Sequence, residues 1–341
     1  MRRSAMTYGV LLLIFSGAAW YQWTTEPPVD MKGQVVLLQG EADDISKVLW
    51  ASDTSEATIS RKQDDRGDYY WVDYTRWTEK VIPAEPGQGD TGDAPEPKTE
   101  RTAKHSVFKA ANKVDDVFAS MSPFPALRKL EISSDEKLEQ MGLTEPKASL
   151  EIHRDGRVQQ LEVGGEAYGT RDRYVRHGET GEIYLVSKDL LKPLEYARTR
   201  LPDRTLLGVE HSDIISAKVS MDEETLLLRH VHRDDPEKAQ WVTDIDPDTP
   251  AEQATTWLHK ALALKGTRFA DPKEPPTGLE DRFQLEVVSS EGQTTSLKVM
   301  QVGSEGDWYA QSEHTRGMLK LVRSAARSLA DDVSGVLGDE D

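Results

Sequence analysis

The chain has 341 residues, 37% hydrophobic and 30% charged, a composition typical of a soluble globular protein with about two domains. Sixty acidic residues against 42 basic ones give a net charge of -18, which argues against a general nucleic-acid binder, because such proteins need a basic face for phosphates. The lack of cysteine excludes disulfides, zinc–thiolate and iron–sulfur sites, a cysteine nucleophile and a lipoprotein cysteine.

The first predicted element is a transmembrane anchor over residues 5–23, after a cytoplasmic tip at residues 1–4. The stretch carries no charge and approaches the roughly 20 residues that a helix needs to cross a bilayer. Arg2 and Arg3 precede it, so the positive-inside rule places the N-terminus in the cytoplasm and the bulk of the chain in the periplasm. The residues that would form the anchor are Val10, Leu11, Leu12, Leu13, Ile14, Phe15, Trp20, Tyr21 and Trp23.

A cleaved signal peptide is the alternative, with residues 16–18 or 17–19 as small-residue cleavage sites. The bulky aromatic residues that follow these sites fit an uncleaved anchor better. We therefore expect a single-pass protein of the bacterial inner membrane.

The remainder divides into a linker (24–40), a first αβ module (41–207), a second αβ module (208–330) and a frayed acidic tail (331–341). Residues 83–104 contain four prolines and three glycines and few apolar side chains, which predicts a disordered loop inside the first module.

The two modules share an order of short motifs, which predicts an internal duplication. The matched features include two strand starts, two tryptophans, two hairpin glycines and two tyrosines. In order, these pairs are Ile45 and Ile214, Trp71 and Trp241, Gly156 and Gly292, and Tyr174 and Tyr309. Matching strands include Leu150 with Leu285 and Leu161 with Leu297. The first copy is longer by about thirty residues, mostly the predicted loop.

Helical patterns cover residues 114–130 and 251–264, with Thr249 and Glu252 forming a capping box for the second. Ser187 would cap a leucine-rich helix. The last helix would bury a stripe made of Leu319, Val322, Ala326 and Leu329. Hairpins next to single helices predict an α+β fold: two duplicated modules of antiparallel sheet with helices on one face.

The sequence contains no P-loop, no H-E-x-x-H and no G-x-S-x-G, so we expect no enzyme, no cofactor and no metal. His230 and His232 are placed on one strand face and would supply two metal ligands, with Asp234 and Asp235 beyond. Because zinc needs three or four ligands, polar residues at a strand edge are the better interpretation.

A cluster of three arginines and a tyrosine is the candidate partner-binding site. Its members, Arg171, Arg173, Tyr174 and Arg176, could hold an acidic partner or a phosphate. Local ion pairs on a solvated strand face are the alternative.

The segment from residue 150 to 210 resembles the family called domain of unknown function 4340, and the resemblance extends over about residues 45–330. A glycine-ended strand, a Tyr-Val-Arg strand, an apolar strand, a leucine-rich helix and a Pro-Asp-Arg-Thr-Leu run carry it. These are residues 161–164, 174–176, 182–187, 190–194 and 202–206. The resemblance implies an auxiliary subunit of an ABC-transporter-like or gliding-motility-like complex, with the permease and the ATPase as partners.

Three functions are open at this point. The first is a non-enzymatic, membrane-anchored periplasmic auxiliary subunit. The second is a periplasmic module that binds a ligand or a polymer in the cleft between the repeats, which a deep pocket lined by Tyr or Trp would favour. The third is an envelope hydrolase with two carboxylates about 5 to 9 Å apart in a cleft.

Overall fold

The structure is a computed structural model that describes residues 35–82, 98–132, 134–235 and 237–338. The predicted anchor, the signal-peptide alternative and residues 83–97 of the predicted loop lie outside the described residues. Within the described residues, no helix has the length and apolar character needed to cross a bilayer.

The first half of the described chain contains eleven strands and four α-helices. The strands are β1 (Val35–Leu38), β2 (Ile45–Ser52), β3 (Ser55–Asp64), β4 (Gly67–Ile82), β5 (Lys98–Lys109), β6 (Phe124–Ala126), β7 (Arg128–Leu130), β8 (Ala148–Arg154), β9 (Arg157–Glu166), β10 (Arg173–His177) and β11 (Ile183–Val186). The helices are α1 (Lys113–Ser120), α2 (Asp135–Gln140), α3 (Lys188–Glu195) and α4 (Ala197–Arg200), with a 3-10 helix at Ala42–Asp44.

The second half contains eight strands and two α-helices among its described residues. The strands are β12 (Ile214–Met221), β13 (Glu224–Val231), β14 (Gln240–Thr243), β15 (Gly266–Phe269), β16 (Leu279–Ser289), β17 (Thr294–Val302), β18 (Trp308–Ser312) and β19 (Leu319–Leu321). The helices are α5 (Glu252–Leu262) and α6 (Arg323–Leu337), with a 3-10 helix at His211–Asp213.

Each half builds one large antiparallel sheet, and the two sheets share a strand order. The first runs β5-β4-β3-β2-β8-β9-β10-β11-β7, and the second runs β14-β13-β12-β16-β17-β18-β19-β15. With β5 set aside, the two orders correspond strand for strand. Strands β1 and β6 form a separate pair. The described chain therefore has a mixed α+β fold dominated by antiparallel sheets.

Strand registers test the sequence alignment of the two halves. Tyr174 and Tyr309 occupy equivalent positions, one residue before Val175 and Ala310, which pair with Val163 and Val299. The predicted match of Trp71 with Trp241 is wrong by one residue. Across adjacent strands, Val72 is reached through the same series of paired positions in the first sheet as Thr243 in the second, so these two residues are equivalent. Two residues earlier in each strand, Tyr70 is therefore the counterpart of Trp241.

The cores form where alternating strand residues meet the helices. Val48, Ile59 and Val72 lie side by side on three adjacent strands and are fully buried. In the second module, Trp257 of α5 is buried and its indole Nε1 donates a hydrogen bond to the Leu329 carbonyl of α6 at 2.9 Å. This bond satisfies the one polar group of a large apolar side chain and joins the two helices.

Local turn chemistry confirms both predicted hairpins. Arg154 pairs with Arg157 across a two-residue turn in which Asp155 and Gly156 have positive φ angles of 49° and 73°. At the second hairpin, Ser289 donates its backbone N–H to the Gln293 carbonyl at 2.9 Å. The predicted cap at Ser187 is also confirmed, because its hydroxyl accepts from the Asp189 N–H at 3.3 Å.

Three predicted boundaries are wrong because long-range strand pairing overrides local composition. Residues 98–104, for which the composition predicts a loop, pair with β4 along their full length. Residues 35–38, which were predicted as linker, form β1 and pair with β6. The predicted helix over 114–130 ends at Ser120, because Pro123 and Pro125 cannot donate to a continuing helix.

Two predicted helix ends are also wrong. Thr249 does not cap α5: Ala251 donates its N–H to the Trp241 carbonyl at 2.9 Å and becomes the N-cap, without a side-chain bond. The last helix begins at Arg323, because Leu319 belongs to β19 and pairs with Ala310. It extends through Leu337 and buries Val333 and Val336, so the predicted frayed tail is helical up to that residue.

Candidate binding cleft between the modules

The segment after α4 joins the two sheets by their edges. Strand β5 is the last strand of the first sheet, and β15 is the last strand of the second. Asp203 donates its backbone N–H to the Lys109 carbonyl of β5 at 2.9 Å, and Gly266 of β15 donates to the Arg204 carbonyl at 2.9 Å. The Pro-Asp-Arg-Thr-Leu run therefore lies between the two edge strands.

A polar cluster, which we call the seam and which is largely buried, lies at this junction. It contains Lys109, Asp203 and His314. The Asp203 Oδ2 atom lies 2.8 Å from the Lys109 Nζ and 2.8 Å from the His314 Nε2, and only 7% and 10% of the Lys109 and Asp203 side chains are exposed. Because a carboxylate only accepts hydrogen bonds, we place a proton on the His314 Nε2.

The ionisation of the seam follows from its burial and its partners. Burial, the larger effect, lowers the pKa of Lys109, although the neighbouring Asp203 opposes it. Burial alone would raise the pKa of Asp203, but hydrogen bonds from His314 and Lys109 hold that pKa well below its ordinary value. The seam is thus an ion pair at neutral pH that is sensitive to the removal of either charge.

A second ion pair crosses the modules next to the seam. The Arg316 guanidinium binds both carboxylate oxygens of Asp64, at 2.5 and 2.8 Å, and lies over the Tyr69 ring, 4.4 Å from its centroid. Hydrogen bonding by Arg316 lowers the pKa of Asp64 to about 2. Arg66 adds a bond to the Thr294 carbonyl at 2.8 Å. These contacts join the β3–β4 turn to the second module.

Gly208 makes the position of His314 possible, which gives a testable prediction. Gly208 has a φ of +66°, and a Cβ atom there would lie 1.9 Å from the His314 Nδ1. The substitution Gly208→Ala should therefore lower the free energy of unfolding by about 1 to 3 kcal/mol, because it adds backbone strain and displaces the imidazole. Urea unfolding followed by tryptophan fluorescence measures it. The matched control is Gly278→Ala, whose φ of +67° is similar but whose Cβ meets nothing within 4 Å. Equal losses in the two variants would contradict the steric role of Gly208.

A cleft of about 740 Å³ lies beside the seam, within the range of roughly 300 to 1,000 Å³ typical of ligand sites. Residues 103–108 of β5 form one wall, and residues 267–271 around β15 form the other. Phe108 and Phe269 approach each other at 6.3 Å between ring centroids, and Tyr309 adds a third aromatic ring to the lining.

The cleft is basic in a strongly acidic chain. Five Lys and Arg side chains line it, against two acidic ones, and they are Lys104, Arg198, Arg204, Arg268 and Lys320. Lys320 pairs with Asp307, whereas the other four make no ion pair with any described residue. Unpaired cations in a concave site attract anionic groups, so the cleft is suited to an acidic ligand or partner.

The arginine cluster predicted from the sequence lies elsewhere. Arg173 is within 3.8 Å of Glu166 and 3.7 Å of Glu195, and Arg176 pairs with Glu162. Arg171 is exposed in a turn with a φ of 63°. None of these side chains, nor that of Tyr174, lines the cleft. The ion pairs agree with the local alternative, and partner binding by this cluster stays a prediction.

The predicted pairing of His230 with His232 on one strand face is wrong. His232 follows the end of β13 and has a φ of 55°. His230 stacks on Trp241 at 4.5 Å and has His211 as a neighbour at 6.1 Å, which in turn contacts His259 at 4.6 Å. Within the described residues, no group of three or more His, Cys, Asp or Glu side chains could hold a metal ion.

The histidine stack predicts a pH-dependent stability. Burial lowers the pKa of His230 below its ordinary 6.5, so the folded state prefers the neutral ring. The stability that this preference contributes is present above pH 6.5 and is lost as the pH falls below that value. The substitution His230→Phe keeps an aromatic ring on Trp241 and should flatten the decrease in unfolding free energy between about pH 7 and pH 5. In the control His232→Phe, we expect the unfolding free energy to decrease with pH as steeply as in the wild type. An equally steep decrease in His230→Phe would contradict the prediction.

The seam was not found from the sequence, although one signal pointed to it. Lys109 and His314 stand 94 and 111 residues away from Asp203 along the chain, and each looks ordinary in its local context. Asp203 and Arg204, in contrast, fall inside the Pro-Asp-Arg-Thr-Leu run on which the family resemblance rests. This polar run follows a leucine-rich helix and lies between the two predicted modules. It is the feature of the sequence that marks their junction.

Comparison with known proteins gives one match. The family model described as "Domain of unknown function (DUF4340)" matches residues 101–282, more than half of the chain. The matched segment begins in β5 and ends in β16, so it contains most of β5, the whole of β15 and the segment between them. No curated protein and no solved structure matches the chain.

Proposed function

The chain belongs to the DUF4340 family, and from this premise we propose that it is a non-enzymatic, membrane-anchored periplasmic auxiliary subunit of an ABC-transporter-like or gliding-motility-like envelope complex. Its role in such a complex is to bind, not to catalyse. The pore and the ATPase belong to its partners, because the sequence has one apolar segment long enough to cross a membrane and no P-loop.

The observation that carries the binding role is the basic cleft. A chain with a net charge of -18 places four cations without ion pairs to described residues around one concavity between its modules. Leaving like charges together costs stability unless a partner or ligand neutralises them, so their grouping favours a binding surface. The seam and the Asp64–Arg316 pair support this role, since they hold the two walls of the cleft in a fixed relation.

The test is affinity purification of the full-length protein from gently solubilised membranes, followed by mass spectrometry. We expect an ABC permease and an ATPase in a fixed ratio, and an intact N-terminus that includes residues 5–23. A protein that purifies without partners at every detergent concentration tried would overturn the proposal. Tagging the permease and recovering this chain is the reciprocal measurement, and its failure would have the same meaning.

A periplasmic ligand- or polymer-binding module is the second candidate function. The size of the cleft and the presence of Tyr309 in its lining favour it. Native mass spectrometry of the protein purified from the periplasmic side would then find a bound anion of constant mass. Loss of that mass in Arg268→Glu, and its retention in Arg157→Glu on an exposed hairpin, would assign the ligand to the cleft.

A further inference from the structure

Strand β5 presents a free backbone edge to the cleft. The Ala110 N–H bonds to the Tyr70 carbonyl of β4, whereas the Lys109 carbonyl accepts from Asp203 on the opposite side. Since consecutive strand residues alternate in direction, the N–H and C=O groups of Ala103, His105 and Val107 point away from β4. These groups make no hydrogen bond with any described residue.

The segment after α4 covers only one end of this edge. The segment at Pro202 and Asp203 pairs with β5 only at Lys109 and Ala110. From Val107 back toward Ala103, β5 lines the cleft and pairs with no described strand on its side away from β4. An edge strand with unpaired backbone groups is a template for adding another strand, and most proteins cover or blunt such edges.

The side chains around this edge select an acidic occupant. Lys104 lies on β5 itself, Arg204 follows Asp203 of the seam, and Arg268 lies on the opposite wall. The other acidic and basic side chains in the lining are Arg198, the acidic Asp271 and Glu274, and His105 and Lys320, which are paired with Asp73 and Asp307. The cations remain in excess, so carboxylates of an added strand would meet them at the rim of the cleft.

We propose that the cleft binds an extended acidic segment of a partner protein, which adds to β5 as an antiparallel or parallel strand. The backbone groups of Ala103, His105 and Val107 supply the main-chain hydrogen bonds, and Arg204 and Arg268 supply charge recognition. The proposal names the partner chemistry of the binding role above and rests on it. A peptide is favoured over a small anion, because a small anion would use the cations and leave the strand edge unpaired.

The test uses the purified chain and a fluorescein-labelled decapeptide of alternating glutamate and valine, measured by fluorescence anisotropy. We expect saturable binding that weakens with added salt. A decapeptide of alternating lysine and valine should not bind. The glutamate peptide with N-methyl groups on alternate amides keeps every charge but loses the main-chain donors on one edge, so it should bind at least about tenfold more weakly.

Matched variants separate the edge from the charges. Ala103→Pro removes an outward N–H from an exposed edge position that tolerates proline, and Ala103→Ser keeps the N–H. We expect weaker binding for the proline variant and unchanged binding for the serine variant. Arg204→Glu with Arg268→Glu should weaken binding at least about tenfold, whereas the control Arg157→Glu should not change it.

Three results would overturn the proposal. Equal binding of the N-methylated and unmethylated peptides, or full competition by inorganic phosphate at similar concentrations, would identify a general anion site without strand addition. Binding that is indifferent to both arginine substitutions would place the peptide outside the cleft. These results are independent of co-purification with a permease, so a failure here is distinguishable from a failure of the proposed envelope role.

Discussion

Replacing Asp203 with alanine is expected to lower the free energy of unfolding by about 3 to 5 kcal/mol. The reason is the burial of its partner: only 7% of the Lys109 side chain is exposed, and its Nζ lies 2.8 Å from the Asp203 carboxylate. Removing the carboxylate leaves a buried ammonium beside His314 without an acceptor of opposite charge. Urea unfolding followed by tryptophan fluorescence measures the loss.

The control is a double variant that removes both charges. Lys109→Met with Asp203→Leu fills similar volumes with apolar side chains, and we expect it to recover most of the stability lost in Asp203→Ala. A double variant as unstable as the single one would mean that shape or the Thr205 N–H bond to Asp203, at 3.0 Å, dominates the effect. A loss below about 1 kcal/mol in the single variant would contradict the buried ion pair itself.

The parts of the fold that depend on neighbouring residues were predictable from the sequence. Asp155-Gly156 predicted a hairpin because few residue types adopt consecutive positive φ angles, and the structure places a two-residue turn there. The equivalence of Tyr174 and Tyr309 was also found, because alternating strands on either side keep the two copies in register. Ser187 predicted a helix start through the same local logic.

The parts that depend on distant pairing were not predictable in the same way. Residues 98–104 are rich in polar side chains and look like loop, yet β4 supplies a complete set of partners for them. The predicted match of Trp71 with Trp241 is wrong by one residue because it rests on two identical side chains, whereas the true equivalence is set by the register of three paired strands.

The candidate cleft also depends on distant residues and could not be predicted from the sequence. Strands β5 and β15 are edge strands because of their places in the strand order, and the strand order cannot be read from the sequence. Lys104, Arg204 and Arg268 are separated by some 60 to 160 residues, so no spacing pattern links them. The net charge of -18 argues against a general nucleic-acid binder but does not reveal a basic site, because a total charge hides a local excess of the opposite sign.

Acid is expected to remove the stabilisation that Asp64 gives the junction of the modules. Hydrogen bonding by Arg316 lowers the pKa of Asp64 from 3.8 to about 2 in the folded chain. A carboxylate with a lowered folded pKa contributes stability above its unfolded pKa and loses it as the pH falls through the folded value. The window for this loss is therefore pH 4 to pH 2, with Asp203 extending it further downward, since its pKa is also lowered.

The measurement compares the wild type with Asp64→Asn across this window. At neutral pH the variant should be less stable, because Arg316 then faces a neutral amide. Below about pH 2 the wild-type carboxyl is itself neutral, so the two unfolding curves should converge. Glu223→Gln, at an exposed turn and without an ion pair to any described residue, should follow the wild type throughout. A difference between wild type and Asp64→Asn that stays constant down to pH 2 would assign the effect to shape, and the charge of Asp64 would then have no part in joining the two modules.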